Sequence, residues 1–193
     1  MTKMRELENI KKKVINCKKC DLYRTRTNPV FGNGKNNSEI FFIGEAPGRN
    51  EDKQGLPFVG RAGRILDELL DSINIDRNNV YISNIIKCRP PKNRNPKKNE
   101  IKICSKYLNE QLDIIKPKII IPLGNYASMF ILEKFGYGVD KISNIHSKIF
   151  TYESKYGEIK IIPMYHPAAV IYNPNKKEIL FKDFNNIKYV LES

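Results

Sequence analysis

Four short apolar stretches stand out along the chain: Glu39 to Gly44, Asn79 to Asn84, Lys118 to Gly124 and Ile159 to His166. They run apolar nearly throughout instead of alternating, which is the pattern of parallel strands covered on both faces. Apolar residues at three- and four-residue spacing fill Met4 to Asn16, Ala62 to Ile75, Pro96 to Ile115 and Tyr126 to Phe135, and Asn175 is placed to cap a last helix reaching Leu191. This spacing predicts amphipathic helices. Strands alternating with helices predict an α/β protein, a three-layer α/β/α sandwich around a central four-stranded parallel sheet. At 193 residues one domain over the whole chain is expected, large enough for a core that needs no disulfides.

In open parallel sheets ligands bind beyond the carboxyl ends of the strands, where the strand order reverses. Here those ends carry Gly44-Glu45, Asn84, Gly124-Asn125 and His166-Pro167, a first convergence of polar and glycine residues. Cys88 to Pro96 reads as a basic, proline-punctuated loop. The net charge of +13 favours a polyanionic partner, nucleic acid or an anionic membrane surface, over a simple solubility charge only on further grounds. No apolar run reaches the ~20 residues that span a bilayer, and the charged start lacks a signal-peptide core. A soluble, cytoplasmic protein without membrane contact is expected, as a monomer, while contact with a sliding clamp is not readable from sequence. Cys17, Cys20, Cys88 and Cys104 are all the cysteines present. In a reducing compartment they point to ligation of zinc or a 4Fe-4S cluster, between which the spacing does not decide.

Three motifs sharpen the picture. GEAPGRNED, Gly44 to Asp52, follows the first strand; GLPFVGRAG, Gly55 to Gly63, precedes a helix; HPAAV, His166 to Val170, follows the last strand. With Asn84 and the four cysteines, this combination resembles the family-four uracil-DNA glycosylases, the thermophile type with a 4Fe-4S cluster, over nearly the whole chain. The resemblance implies a repair enzyme that flips uracil from DNA and hydrolyses its bond to the sugar, leaving an abasic site. It also favours the cluster over zinc, as a structural tie between the N-terminal segment and the loop from Cys88 to Cys104.

The residues themselves agree with such a site. Gly44, Ala46, Pro47 and Gly48 let backbone approach a ligand closely, and the resemblance implies uracil contacts at Glu45 and Ala46. Phe58, in a glycine-flanked loop, is either core or a platform for a flipped base, where stacking is worth about 1–3 kcal/mol; the family stacks uracil on a matching phenylalanine. Asn84 can donate to uracil O4 and accept from N3–H, a pattern cytosine reverses. His166, held extended by Pro167, matches the histidine that reaches uracil O2, where a neutral imidazole can stabilise the departing base. Glu45 is assigned to positioning water and Glu51 to crowding C5 against thymine. His146, the other histidine, reads as a backbone-bonded surface residue.

Lys87, Arg89, Lys92, Arg94, Lys97 and Lys98 are expected near phosphates. Val170, Ile171 and Tyr172 are either a wedge into the duplex or ordinary packing; relatives often carry arginine where Tyr172 stands. Two rival readings remain. A non-catalytic nucleic-acid module leaves the three motifs unexplained, and a covalent uracil-trapping relative has a longer, histidine-bearing insertion where Asn93 to Asn99 is short and has none.

Overall fold

The computed structural model describes residues 2–192. Its sheet has six strands in the order β1-β3-β2-β4-β6-β5, formed by β1 (Asn33–Gly34), β2 (Ile40–Gly44), β3 (Tyr81–Asn84), β4 (Ile119–Pro122), β5 (Phe150–Ser154) and β6 (Gly157–Ile161). The four expected strands make its parallel centre: β2 pairs in parallel with β3 and β4, and β4 with β6. Beyond this expected centre, an antiparallel strand closes each edge, β1 on β3 and β5 on β6. Neither has an apolar run. β1 is only Asn33–Gly34, and the middle of β5 is exposed, as an edge strand with one wet face can be.

Helices α1 (Lys3–Ile15), α3 (Arg61–Ser72), α4 (Lys98–Ile115), α5 (Asn125–Lys134) and α8 (Lys176–Glu192) fall where the three- and four-residue spacing put them; the short helices are α2 (Arg49–Gln54), α6 (Ile142–Ile145) and α7 (Ala169–Tyr172). α1 packs on α4, and α3 on α8. The alternation of β2 assigns these pairs to faces. Phe41 meets Tyr81 edge to face at 4.9 Å, and Tyr81 bonds to Gln111 of α4. Phe42 stacks on Phe184 of α8 at 6.0 Å. Both phenylalanines are fully buried, so burial on both faces of β2 is what forces the three layers.

From β2 the chain moves to β3 on one side and then to β4 on the other, so the order reverses at β2. The carboxyl ends open there: Gly44 lies level with Asn84, and Leu123 beyond β4 bridges Met164. Among the described residues no helix is long and apolar enough to cross a membrane.

Candidate active site

Four elements deliver side chains to the reversal point, and Gly44 at the end of β2 is their floor. A Cβ on Gly44 would lie 2.3 Å from Asn84 Oδ1 and 2.9 Å from the Phe58 ring. Both groups therefore rest directly on the glycine backbone. Asn84 is 2% exposed, yet its side-chain amide makes no hydrogen bond to any described residue. Buried amides are normally paired, so this one is available for a ligand.

Phe58 is buried in a left-handed conformation at φ 51°, uncommon and unfavourable for an aromatic residue. Its surroundings hold it there. Glu51 Oε1 accepts from the Val59 and Gly60 amides at 2.9 and 2.8 Å, Arg77 donates to the Pro57 carbonyl at 2.7 Å, and a side chain at Gly63 would collide with the Phe58 carbonyl. A core aromatic needs none of this. The ring lies 5.5 Å from that of His166, inclined by 27°.

His166 is supplied by the segment after β6 and reaches the site because Gly124, at φ 87°, has no side chain: a Cβ there would stand 3.1 Å from the His166 Cβ. The Ala168 amide donates to His166 Nδ1 at 3.1 Å. That bond makes Nδ1 an acceptor and leaves the proton of the neutral ring on Nε2. Burial pulls the pKa down to about 4, against the opposing charge of Glu51, so near neutral pH the ring is an uncharged donor through Nε2.

The carboxylates of GEAPGRNED separate by function. Glu51, expected to crowd C5 of the base, is committed to the backbone of the Phe58 loop, at the start of α3. Asp52, 3% exposed, accepts from the Thr27 amide at 2.9 Å and pins the preceding loop to α2. Of these three carboxyl groups only that of Glu45 has no hydrogen-bonding partner among the described residues, and burial raises its pKa above the usual carboxylate range. Its backbone carbonyl takes the Ile86 amide at 3.2 Å, fixing the loop beside β3.

All four cysteines are unpaired and line one small cavity with Leu22, Tyr23 and Arg26. Arg26 donates to Cys88 Sγ at 3.1 Å and the Lys87 amide to Cys104 Sγ at 3.2 Å, contacts that favour sulfur bearing negative charge. Burial raises the Cys20 and Cys88 thiols and takes Cys104 up to about 12. Among the described residues, no three His, Cys, Asp or Glu side chains converge as ligands of a single ion.

Of the basic residues expected near phosphates, Lys87 and Arg94 are engaged within the protein. Lys87 is buried at 1% exposure and cannot reach a phosphate. Arg94 forks onto both oxygens of Glu100 at 2.9 and 2.6 Å, and Arg89 donates to Asn93 at 2.7 Å. Lys92, Lys97 and Lys98 stay exposed. Val170 and Ile171 lie half-buried on α7, whose exposed tip is Tyr172 at 86%. His146 is no backbone-bonded surface residue: its Nδ1 meets Asp183 at 2.7 Å and its ring lies 4.7 Å from Tyr165. Sequence reasoning passed over Gln111, although a glutamine within the buried stripe of Tyr107, Leu108, Leu112 and Ile115 was the available signal.

Residues 31–187 match the uracil DNA glycosylase superfamily. The chain is 48% identical over 186 residues to the type-4 uracil-DNA glycosylase of Sulfurisphaera tokodaii, covering 96% of this chain and 84% of that one. It is 45% identical to the type-4 enzyme of Archaeoglobus fulgidus, over 95% and 92% of the two chains, and 38% identical to that of Thermotoga maritima, over 94% and 93%. The chain belongs to the type-4 uracil-DNA glycosylases. In this glycosylase the match to the superfamily begins at Phe31, after Cys17 and Cys20, and takes in every pocket residue described above.

Proposed function

We propose that this glycosylase excises uracil from DNA by hydrolysis of the N-glycosidic bond, releasing free uracil and leaving an abasic site. The observation that carries the reading is the Asn84 amide on the pocket floor, 2% exposed and without a hydrogen-bond partner among the described residues. Uracil fills both its needs, taking a hydrogen bond at O4 and giving one from N3–H, and cytosine presents the opposite pattern. A site built to pair such groups rejects the wrong base because its buried amide is then left unpaired. The target base must leave the helix to reach it, and Phe58 offers a π-face for it to stack on.

As C1′–N1 breaks, its electron pair leaves with uracil, and His166 Nε2–H donates to O2 where negative charge collects. Water adds to C1′ and gives up a proton to Glu45, the one carboxylate of its loop not bound to backbone. Thymine exclusion rests on the crowded floor between Gly44, Phe58 and the Glu51 loop. Lys92, Lys97 and Lys98, with Arg89, meet phosphates, and α7 with Val170, Ile171 and Tyr172 fills the gap in the duplex. The protein acts as an intracellular monomer.

The donor set of Cys17, Cys20, Cys88 and Cys104 fits a 4Fe-4S cluster: all sulfur, grouped around a cavity and not a point, with N–H donors aimed at two of the sulfurs. Bound there, the cluster supplies a structural tie and no electron that this hydrolysis needs. Uracil release from a labelled oligonucleotide, run beside iron analysis and a visible spectrum, tests the whole reading. Uracil release lost in Asn84→Ala, with broad absorbance near ~400 nm, supports it; colourless, zinc-bearing protein rejects the cluster, and no uracil release rejects the activity.

A further inference from the structure

Lys87 has no part in the chemistry above and pairs with no described carboxylate, yet it is among the most deeply buried side chains of the protein. Its Nζ lies 2.6 Å from Ser83 Oγ, 2.7 Å from Gln111 Oε1 and 2.8 Å from the Asn84 carbonyl oxygen. The direction of each bond follows from the neighbours. Ser83 Oγ gives its own hydrogen to the Phe31 carbonyl at 2.8 Å, and Gln111 Nε2 faces that carbonyl and the Tyr81 hydroxyl at 2.9 and 3.1 Å. A carbonyl can only accept. All three partners therefore take a hydrogen from Lys87, and three donors are what an ammonium carries and a neutral amine does not.

The backbone of the residue is committed as well, its amide to Cys104 Sγ at 3.2 Å and its carbonyl to the Val30 amide at 2.7 Å. Lys87 thus joins the cysteine cavity, α4 and the end of β3. The Asn84 side-chain amide, in contrast, has no hydrogen bond to any described residue. Its position depends on packing against Gly44 and Phe58 and on the orientation of its own backbone, whose carbonyl Lys87 grips.

We propose that Lys87 is a positioning residue for base reading: by tying the Asn84 carbonyl to Ser83 and to Gln111 of α4, it sets the depth and plane at which the Asn84 amide meets uracil. This rests on the reading of Asn84 given above. A displacement of about 1 Å in a group that orients substrate can lower a rate on the order of 100-fold.

Lys87→Met keeps the length and removes all three donors. Single-turnover uracil release is expected to slow about 10–100-fold, with a matching rise in the inhibition constant of free uracil. DNA holding a tetrahydrofuran abasic analogue, which presents no base to read, should bind within about twofold of wild type. In an Asn84→Ala background the same substitution should change the rate by less than about twofold, since its target is gone. Equal slowing in both backgrounds, or abasic-site binding that weakens in step with the rate, overturns the proposal in favour of general structural support. Should Lys87→Met not fold, Lys87→Arg keeps the charge, but its planar fork cannot serve three acceptors grouped around one nitrogen, and the same comparison is made. Wild-type release by Asn84→Ala alone would refute the reading of Asn84, whereas a slow Asn84→Ala beside an unimpaired Lys87→Met refutes only the role of Lys87.

Discussion

Gly44→Ala is the smallest change that should disable the pocket while sparing the fold. The backbone at Gly44 is ordinary extended strand, so alanine meets no conformational barrier. What it meets is Asn84 Oδ1 at 2.3 Å and the Phe58 ring at 2.9 and 3.0 Å, where ordinary contact begins at 3.4 Å. The amide must retreat by about 1 Å and the ring by about half that, for typical contact distances between heavy atoms. Overpacking of this kind costs about 1–3 kcal/mol of stability. For a reader displaced by about 1 Å the expected loss in rate is on the order of 100-fold. Single-turnover release from a uracil-containing oligonucleotide measures the rate, and affinity for abasic-analogue DNA separates base reading from DNA binding. A folded Gly44→Ala enzyme with wild-type release would show that neither Asn84 nor Phe58 meets the base at this floor, and the site would have to be rebuilt elsewhere.

Asn84→Asp should lose uracil cleavage and gain weak cytosine cleavage that increases as pH falls, because only a protonated carboxyl can both accept from N4 and donate to N3; retention of full uracil activity would contradict this. His166 should remain neutral down to about pH 4, visible as flat imidazole nitrogen shifts between pH 5 and 8. Because its folded pKa lies below the ordinary value of about 6.5, the unfolded chain binds more protons between these two values, and stability should fall by up to about 3 kcal/mol as pH drops through that window. A His166→Gln variant should lack that loss, and an equal acid slope in both proteins rules the account out. Glu51→Ala should release the strained Phe58 loop, lowering the melting temperature and slowing uracil release together; a change in thymine rejection alone would instead return Glu51 to C5 of the base.

The sequence alone determined the layers and the neighbourhood of the site, because those follow from local, repeated signals. β2 and β4 are covered on both faces and so run apolar nearly throughout, β3 opens on the apolar Tyr81 and Ile82, and α4 shows a buried stripe. Gly44, Asn84, Gly124 and His166 sit at or just past strand ends, where a parallel sheet gathers whatever follows its strands. The edge strand β5 gave no such sign, because its exposed middle carries no apolar requirement. The chemistry within each motif was likewise undecided. Glu45, Glu51 and Asp52 are alike as residues in a sequence; which one stays free depends on the distant amides of Thr27, Val59 and Gly60 reaching the other two. Lys87 shows the limit most plainly. In sequence it is one more cation beside Cys88 and Arg89, but three acceptors from β3 and α4 turn it into a buried tie. Hydrophobic periodicity records whether a position is buried, and only the packed structure brings together the partners that decide what a buried polar group does.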